Sequence, residues 1–116
     1  MGSPKKKYTV GFHVWIQEEQ GHFIGKGRVE LLERIQHTGS ITKAAKAMKM
    51  SYRQAWQMVT DMNSRSDMPI VEKILGGKGG GGAIVTQAGE KAIKLFYEVD
   101  EKMKKYASEL SKTVNF

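Results

Sequence analysis

Between residues 8 and 17 apolar and polar positions alternate, with Val10, Phe12, Val14 and Ile16 on one side of the chain. Alternation of β-branched and aromatic residues at period two predicts a strand over 8–17. Glu18-Glu19-Gln20-Gly21 follows as a turn and His22-Phe23-Ile24-Gly25 as the returning partner, giving an N-terminal β-hairpin. The period then changes. Over 26–38, Val29, Leu31, Leu32 and Ile35 form the buried stripe of an amphipathic helix. Gly39 stops it, and Ser40 is placed to cap a short, Ala-rich helix over 41–48. Ser51 offers a second cap ahead of a helix over 52–63, whose inward stripe is Ala55, Val59 and Met62. Helices in this order, the last two joined by a tight turn, make a helix-turn-helix.

Beyond residue 69 the texture is that of strands. Residues 70–75 and 83–86 each read as one, separated by Gly76-Gly77-Lys78-Gly79-Gly80-Gly81-Gly82. Two strands across a glycine loop predict a β-hairpin, and directly after a helix-turn-helix such a hairpin is a wing. Thr86 caps a final helix over 87–112, on the order of 38 Å long at 1.5 Å per residue. Its apolar residues Ala92, Phe96, Val99, Met103, Tyr106 and Leu110 recur in steps of four and three. That is a heptad seam. It is longer than a small domain can cover, so a second copy of the chain is expected against it. The fold class is thus α+β and mostly α: a winged helix-turn-helix with an N-terminal β-hairpin and a long C-terminal dimerisation helix. Residues 1–7 are expected to form a disordered basic tail, 8–86 the winged domain, and 87–116 the long helix belonging to the same domain.

Charge sharpens this picture. The chain of 116 residues carries a formal net charge of +7, which points to a polyanionic partner. The excess is local: residues 38–60 hold Lys43, Lys46, Lys49 and Arg53 and no carboxylate, whereas the final helix mixes signs. In a helix-turn-helix the third helix enters the major groove of double-stranded DNA. Here it leads with Ser51, Tyr52, Arg53, Gln54 and Gln57. Arg53 suits a bidentate contact with guanine, and Gln54 or Gln57 with adenine. Lys43 and Lys46, on the helix before, suit phosphates. Trp56 at i+4 from Tyr52 reads as packing against the first helix or the hairpin, while Tyr52 is left between packing and a hydroxyl–phosphate contact.

Other chemistries fit poorly. A phosphate-binding loop needs Lys-Ser/Thr at its end and a helix behind it. Here Lys78 comes early and a strand follows, so a nucleotide-binding enzyme is disfavoured, and a wing tip with Lys78 near a DNA phosphate explains the same residues. His13, His22 and His37 are too scattered for a metal site, there is no cysteine, and Glu18 and Glu19 decorate a turn. No catalytic constellation and no cofactor are expected. No stretch approaches the run of about 18 apolar residues that a membrane span requires, and Met1 to Lys7 lack the apolar run of a secretory signal. A cytoplasmic protein is expected.

Residues 39–45 (Gly-Ser-Ile-Thr-Lys-Ala-Ala), 50–56 (Met-Ser-Tyr-Arg-Gln-Ala-Trp), the glycine loop 76–83 and residues 85–89 (Val-Thr-Gln-Ala-Gly) resemble the N-terminal DNA-binding domain of ModE, the molybdate-responsive transcriptional regulator family, itself distantly LysR-like. The resemblance covers about residues 26–112. It implies dimerisation largely through the long helices and two recognition helices presented to a two-fold operator. It also implies backbone contacts by Thr42 and Lys43, and it places Lys78 in the wing. Family members bind molybdate through C-terminal β-barrel domains. The chain stops at Phe116, so molybdate is not expected to bind it directly, and a role in molybdenum homeostasis follows by analogy only. The rival is a protein–protein module that docks a separate sensor subunit through the long helix.

Overall fold

The computed structural model describes residues 6–76 and 81–115. Its elements run β1 (Trp15–Glu18), β2 (Gly21–Gly25), α1 (Lys26–Thr38), α2 (Ile41–Ala47), α3 (Tyr52–Ser64), β3 (Val71–Ile74), β4 (Gly82–Val85) and α4 (Gln87–Ser111). β1 pairs with β2 and β3 with β4, each as an antiparallel two-stranded sheet. Among the described residues no helix is long and apolar enough to cross a membrane.

The helical boundaries follow local chemistry. Gly39 adopts the left-handed conformation at φ 68° and ends α1, its N–H reaching the Ile35 carbonyl at 2.7 Å. Ser40, Ser51 and Thr86 each accept a backbone N–H three residues on, capping α2, α3 and α4. The turn between α2 and α3 closes with the Met50 N–H on the Ala45 carbonyl at 3.0 Å. Lys49 occupies its left-handed position at φ 56°, a place that glycine fills at lower cost.

The N-terminal strand is shorter than the alternation predicts. Val10, Phe12, Val14 and Ile16 are indeed half-buried while their neighbours are exposed, but ladder pairing begins only at Trp15. Ahead of it the chain is an arm with a different partner. The Val10 N–H donates to Ser111 Oγ at 2.8 Å near the end of α4. The turn is likewise shorter, Glu18 and Gly21 facing each other as a strand pair across residues 19 and 20.

The core is gathered by α1, α2 and α3, with Leu31, Leu32, Ile35, Ala44, Ala55, Val59 and Met62 all nearly inaccessible. The wing is fastened to it around Ile70. Asn63, in the last turn of α3, accepts the Ile70 and Val71 N–H groups at 2.7 and 3.1 Å and donates to the Val71 carbonyl at 3.0 Å. The Ile70 carbonyl accepts the Thr86 N–H at 3.0 Å. A Cβ at Gly89 would lie 2.5 Å from that same carbonyl oxygen, so only glycine lets α4 come this close. These bonds take Ile70 out of the strand that the sequence predicts.

The heptad seam divides. Ala92 and Phe96 turn inward, at 6% and 4% exposure, and fill the chain's own core. Buried in the core cluster of their own chain, they are unavailable to a second copy. Val99 is half-buried, whereas Met103, Tyr106 and Leu110 are 41%, 58% and 39% exposed, joined by Leu95 at 46%.

Asn63→Ala leaves two N–H groups and a carbonyl at the wing root without partners and is expected to destabilise the fold by about 2 kcal/mol, read by denaturant unfolding. Lys49→Gly relieves a left-handed lysine and is expected to raise the melting temperature, by about 0.5–1 kcal/mol in stability. An unchanged or lower midpoint would contradict that account of the turn.

Candidate nucleic-acid interface

The third helix sorts its residues by face. Ala55, Val59 and Met62 are buried, while Ser51, Tyr52, Arg53, Gln54 and Gln57 are exposed in its first two turns. With 3.6 residues per turn, Arg53 and Gln57 stand on the side opposite the buried stripe. Thr42, Lys43 and Lys46 are exposed on α2. Neither α2 nor α3 carries an acidic residue in its first turn. The N-terminal half of the helix-turn-helix thus offers donors with no carboxylate to compete for them.

The one carboxylate of α3, Asp61, lies near its C-terminal end and is occupied. Arg28 of α1 pairs with it at 2.7 Å and Arg65 at 3.1 Å, and Arg65 pairs in turn with Glu18 of β1 at 2.7 Å. Arg28 also donates to the His22 and Phe23 carbonyls at 3.0 Å. The C-terminal end of α3 is thereby tied to both α1 and the N-terminal hairpin. Glu18 therefore does more than decorate a turn. Burial pushes the Asp61 carboxyl up, but the hydrogen bonds and charges of Arg65 and Arg28 outweigh it and hold the group below its ordinary value. Glu18 is lowered by the Gln20 backbone N–H and by Arg65.

Trp56 is half-buried and packs against the core cluster, and the wing meets its ring through Lys73. The Lys73 ammonium lies 3.9 Å from the Trp56 ring centroid and 5.9 Å from that of Tyr52. Tyr52 is 43% exposed. Together with Thr42, Ser40, Lys73 and Gly81 it lines a notch of about 310 Å³ between α2, α3 and the wing. The structure thus brings Thr42 and Tyr52 together and adds Lys73, which sequence reasoning missed. Strand parity was the available signal, since Lys73 is two residues from the buried Val71. The expected wing-tip contact, Lys78, lies outside the described residues.

Both lowered carboxylates make the fold acid-sensitive. Folded Asp61 and Glu18 stay ionised where the unfolded chain already takes up protons. Their contribution is therefore complete above the ordinary carboxylate range and is lost as pH falls through the folded values. The melting temperature is expected to drop below about pH 4. Asp61→Asn is expected to lower it at neutral pH and to flatten that drop. Parallel curves for the two proteins would remove Asp61 from the explanation.

Comparison with known proteins bears on the same region. Residues 27–90 match the family model of the bacterial regulatory helix-turn-helix proteins, lysR family. The transcriptional regulator ModE of Yersinia pestis is 47% identical over 81 residues, which are 70% of this chain and 31% of that protein. The molybdenum-pterin-binding protein MopB of Rhodobacter capsulatus is 40% identical over 100 residues, 86% of this chain and 37% of that one. The chain thus spans about a third of the length of the curated relatives it matches. Among solved structures, a mutant of S. aureus MepR bound to an oligodeoxyribonucleotide superposes with a TM-score of 0.57 at 13% identity, covering 79% of this chain and 67% of that one. A LysR family transcriptional regulator does so at 0.51 and 14%, covering 67% and 25%. At such identities the structural likeness speaks for the winged helix-turn-helix fold alone.

Proposed function

The chain belongs to the lysR family of bacterial regulatory helix-turn-helix proteins, and we propose that it is the operator-binding part of a ModE-like transcriptional regulator acting as a homodimer on double-stranded DNA. The observation that carries this reading is the exposed, carboxylate-free start of α3 on a helix whose other face is locked into the core. In the major groove Arg53 reads guanine and Gln54 or Gln57 reads adenine, while Ser51 and Tyr52 sit at the helix entrance. Lys43, Lys46 and Thr42 hold the flanking phosphates, and Lys78 does so from the wing. Base edges specify and phosphates position.

Residues 8–86 and the long helix act as one domain in this reading. Dimerisation uses the distal half of α4, where Met103, Tyr106 and Leu110 are exposed, with the half-buried Val99 and the exposed Leu95 leading up to them. In this reading the protein works in the cytoplasm, and its target genes serve molybdenum handling, in line with the molybdenum in the names of curated relatives. Its work is binding rather than catalysis, and no molybdate site is assigned to these residues.

Selection from random duplexes at two salt concentrations is expected to enrich a two-fold motif with half-sites about one helical turn, roughly 34 Å, or a multiple of it apart. Arg53→Ala is expected to weaken binding to the selected motif by about 1–3 kcal/mol and to relax preference at one position per half-site. Specific binding retained in full would overturn the assignment of Arg53. Tyr106→Glu is expected to halve the mass seen by light scattering and to weaken operator binding with it. A dimer of unchanged mass would place the contact elsewhere.

A further inference from the structure

One cation of the wing is positioned by the recognition helix. Side chains of a strand alternate between faces, so Lys73 shares the face of Val71, which is buried, and Glu72 points the other way. Lys73 is thereby directed at α3, where its ammonium rests over Trp56 at 3.9 Å and near Tyr52 at 5.9 Å. Among the described residues it forms no ion pair. That distinction matters chemically. A carboxylate would fix the ammonium and also neutralise it, whereas an aromatic face attracts it while leaving its charge available to an anion.

The surroundings suit such an anion. The notch beside Lys73 is also lined by Thr42 and Tyr52, which carry hydroxyls, and by Gly81 and Gly82 where the glycine loop enters β4, and no Asp or Glu is among its lining residues. It opens between the two helices of the helix-turn-helix and the wing, where a strand of duplex would pass if α3 lay in the major groove.

We propose that this notch binds one phosphodiester of duplex DNA and that Lys73 is its cation, held in place by Trp56 and Tyr52. The proposal rests on the DNA-binding reading above and adds a site to it. The contact carries no sequence information. It fixes how far and at what angle α3 enters the groove, because the same aromatic residues belong to α3 and orient the cation. Base-reading helix and backbone anchor are thus registered to each other within one protomer.

The test is fluorescence anisotropy of the full chain on labelled duplex across a salt series, comparing wild type with Lys73→Met, Lys73→Gln and Lys73→Arg. Loss of one phosphate contact per protomer makes the plot of log affinity against log salt shallower by about 1 for each protomer bound. Lys73→Met and Lys73→Gln are expected to show this on selected and random duplexes alike, with melting temperatures close to wild type. Lys73→Arg is expected to restore the slope. In a Trp15→Phe background, which leaves Trp56 as the sole tryptophan, duplex is expected to change the emission of the protein, and Lys73→Met to abolish that change. A wild-type slope in both neutral variants overturns the site and leaves DNA binding standing. A wild type that binds no duplex even at low salt overturns the DNA reading and the site together.

Discussion

The backbone of Ile70 is the junction on which the rest of this small fold depends. Its N–H is taken by Asn63 at the end of the recognition helix and its carbonyl by Thr86 at the start of α4, while its side chain is buried in the core at 1% exposure. Wing, recognition helix and long helix therefore meet at one residue. Buried peptide groups are costly to leave unpaired, so the three elements hold a fixed mutual arrangement. Gly89 enters this junction by what it lacks, since a methyl group there would collide with the same carbonyl oxygen.

Electrostatics complements that geometry by keeping negative charge away from the surface proposed to meet DNA. The only carboxylate of α2 and α3 is gathered with Arg28, Arg65 and Glu18 into a network at the far end of the recognition helix. There it ties three elements together and leaves Lys43, Lys46 and Arg53 unopposed. Excess positive charge on a chain is only a composition; the ion pairs are what turn it into a directed field. Lys73 is the refinement, a cation held by aromatic faces and so still available.

Much of this was legible in the residues themselves. Ser40, Ser51, Thr86 and Gly39 mark helix boundaries through bonds that span three or four residues, and the stripes of α1 and α3 need only the helical period. Interactions of long range were not legible. The alternation at residues 8–17 predicts a paired strand, yet periodicity reports which side faces the protein and not whether a neighbouring strand supplies hydrogen bonds. For Val10 the partner is Ser111, 101 positions away. The heptad seam fails in part for a similar reason: Ala92 and Phe96 have the right spacing for a second copy, but the chain's own core takes them first. Lys73 is hidden from a reading that applies strand parity to apolar residues only, and Asn63 because a polar residue at a helix end reads as solvated.

The length of α4 has a mechanical meaning. Its first turns are fixed to the winged domain through Thr86 and Gly89, whereas its exposed apolar residues stand further along the helix. In a dimer joined there, each helix is a stiff lever between the joint and the winged domain. A change of only about 5° in how two such helices cross would displace the far end of an arm on the order of 30 Å long by roughly 2.5 Å. That is most of the rise of one base pair, so small adjustments at the joint would set whether two recognition helices are in phase with successive turns of the duplex.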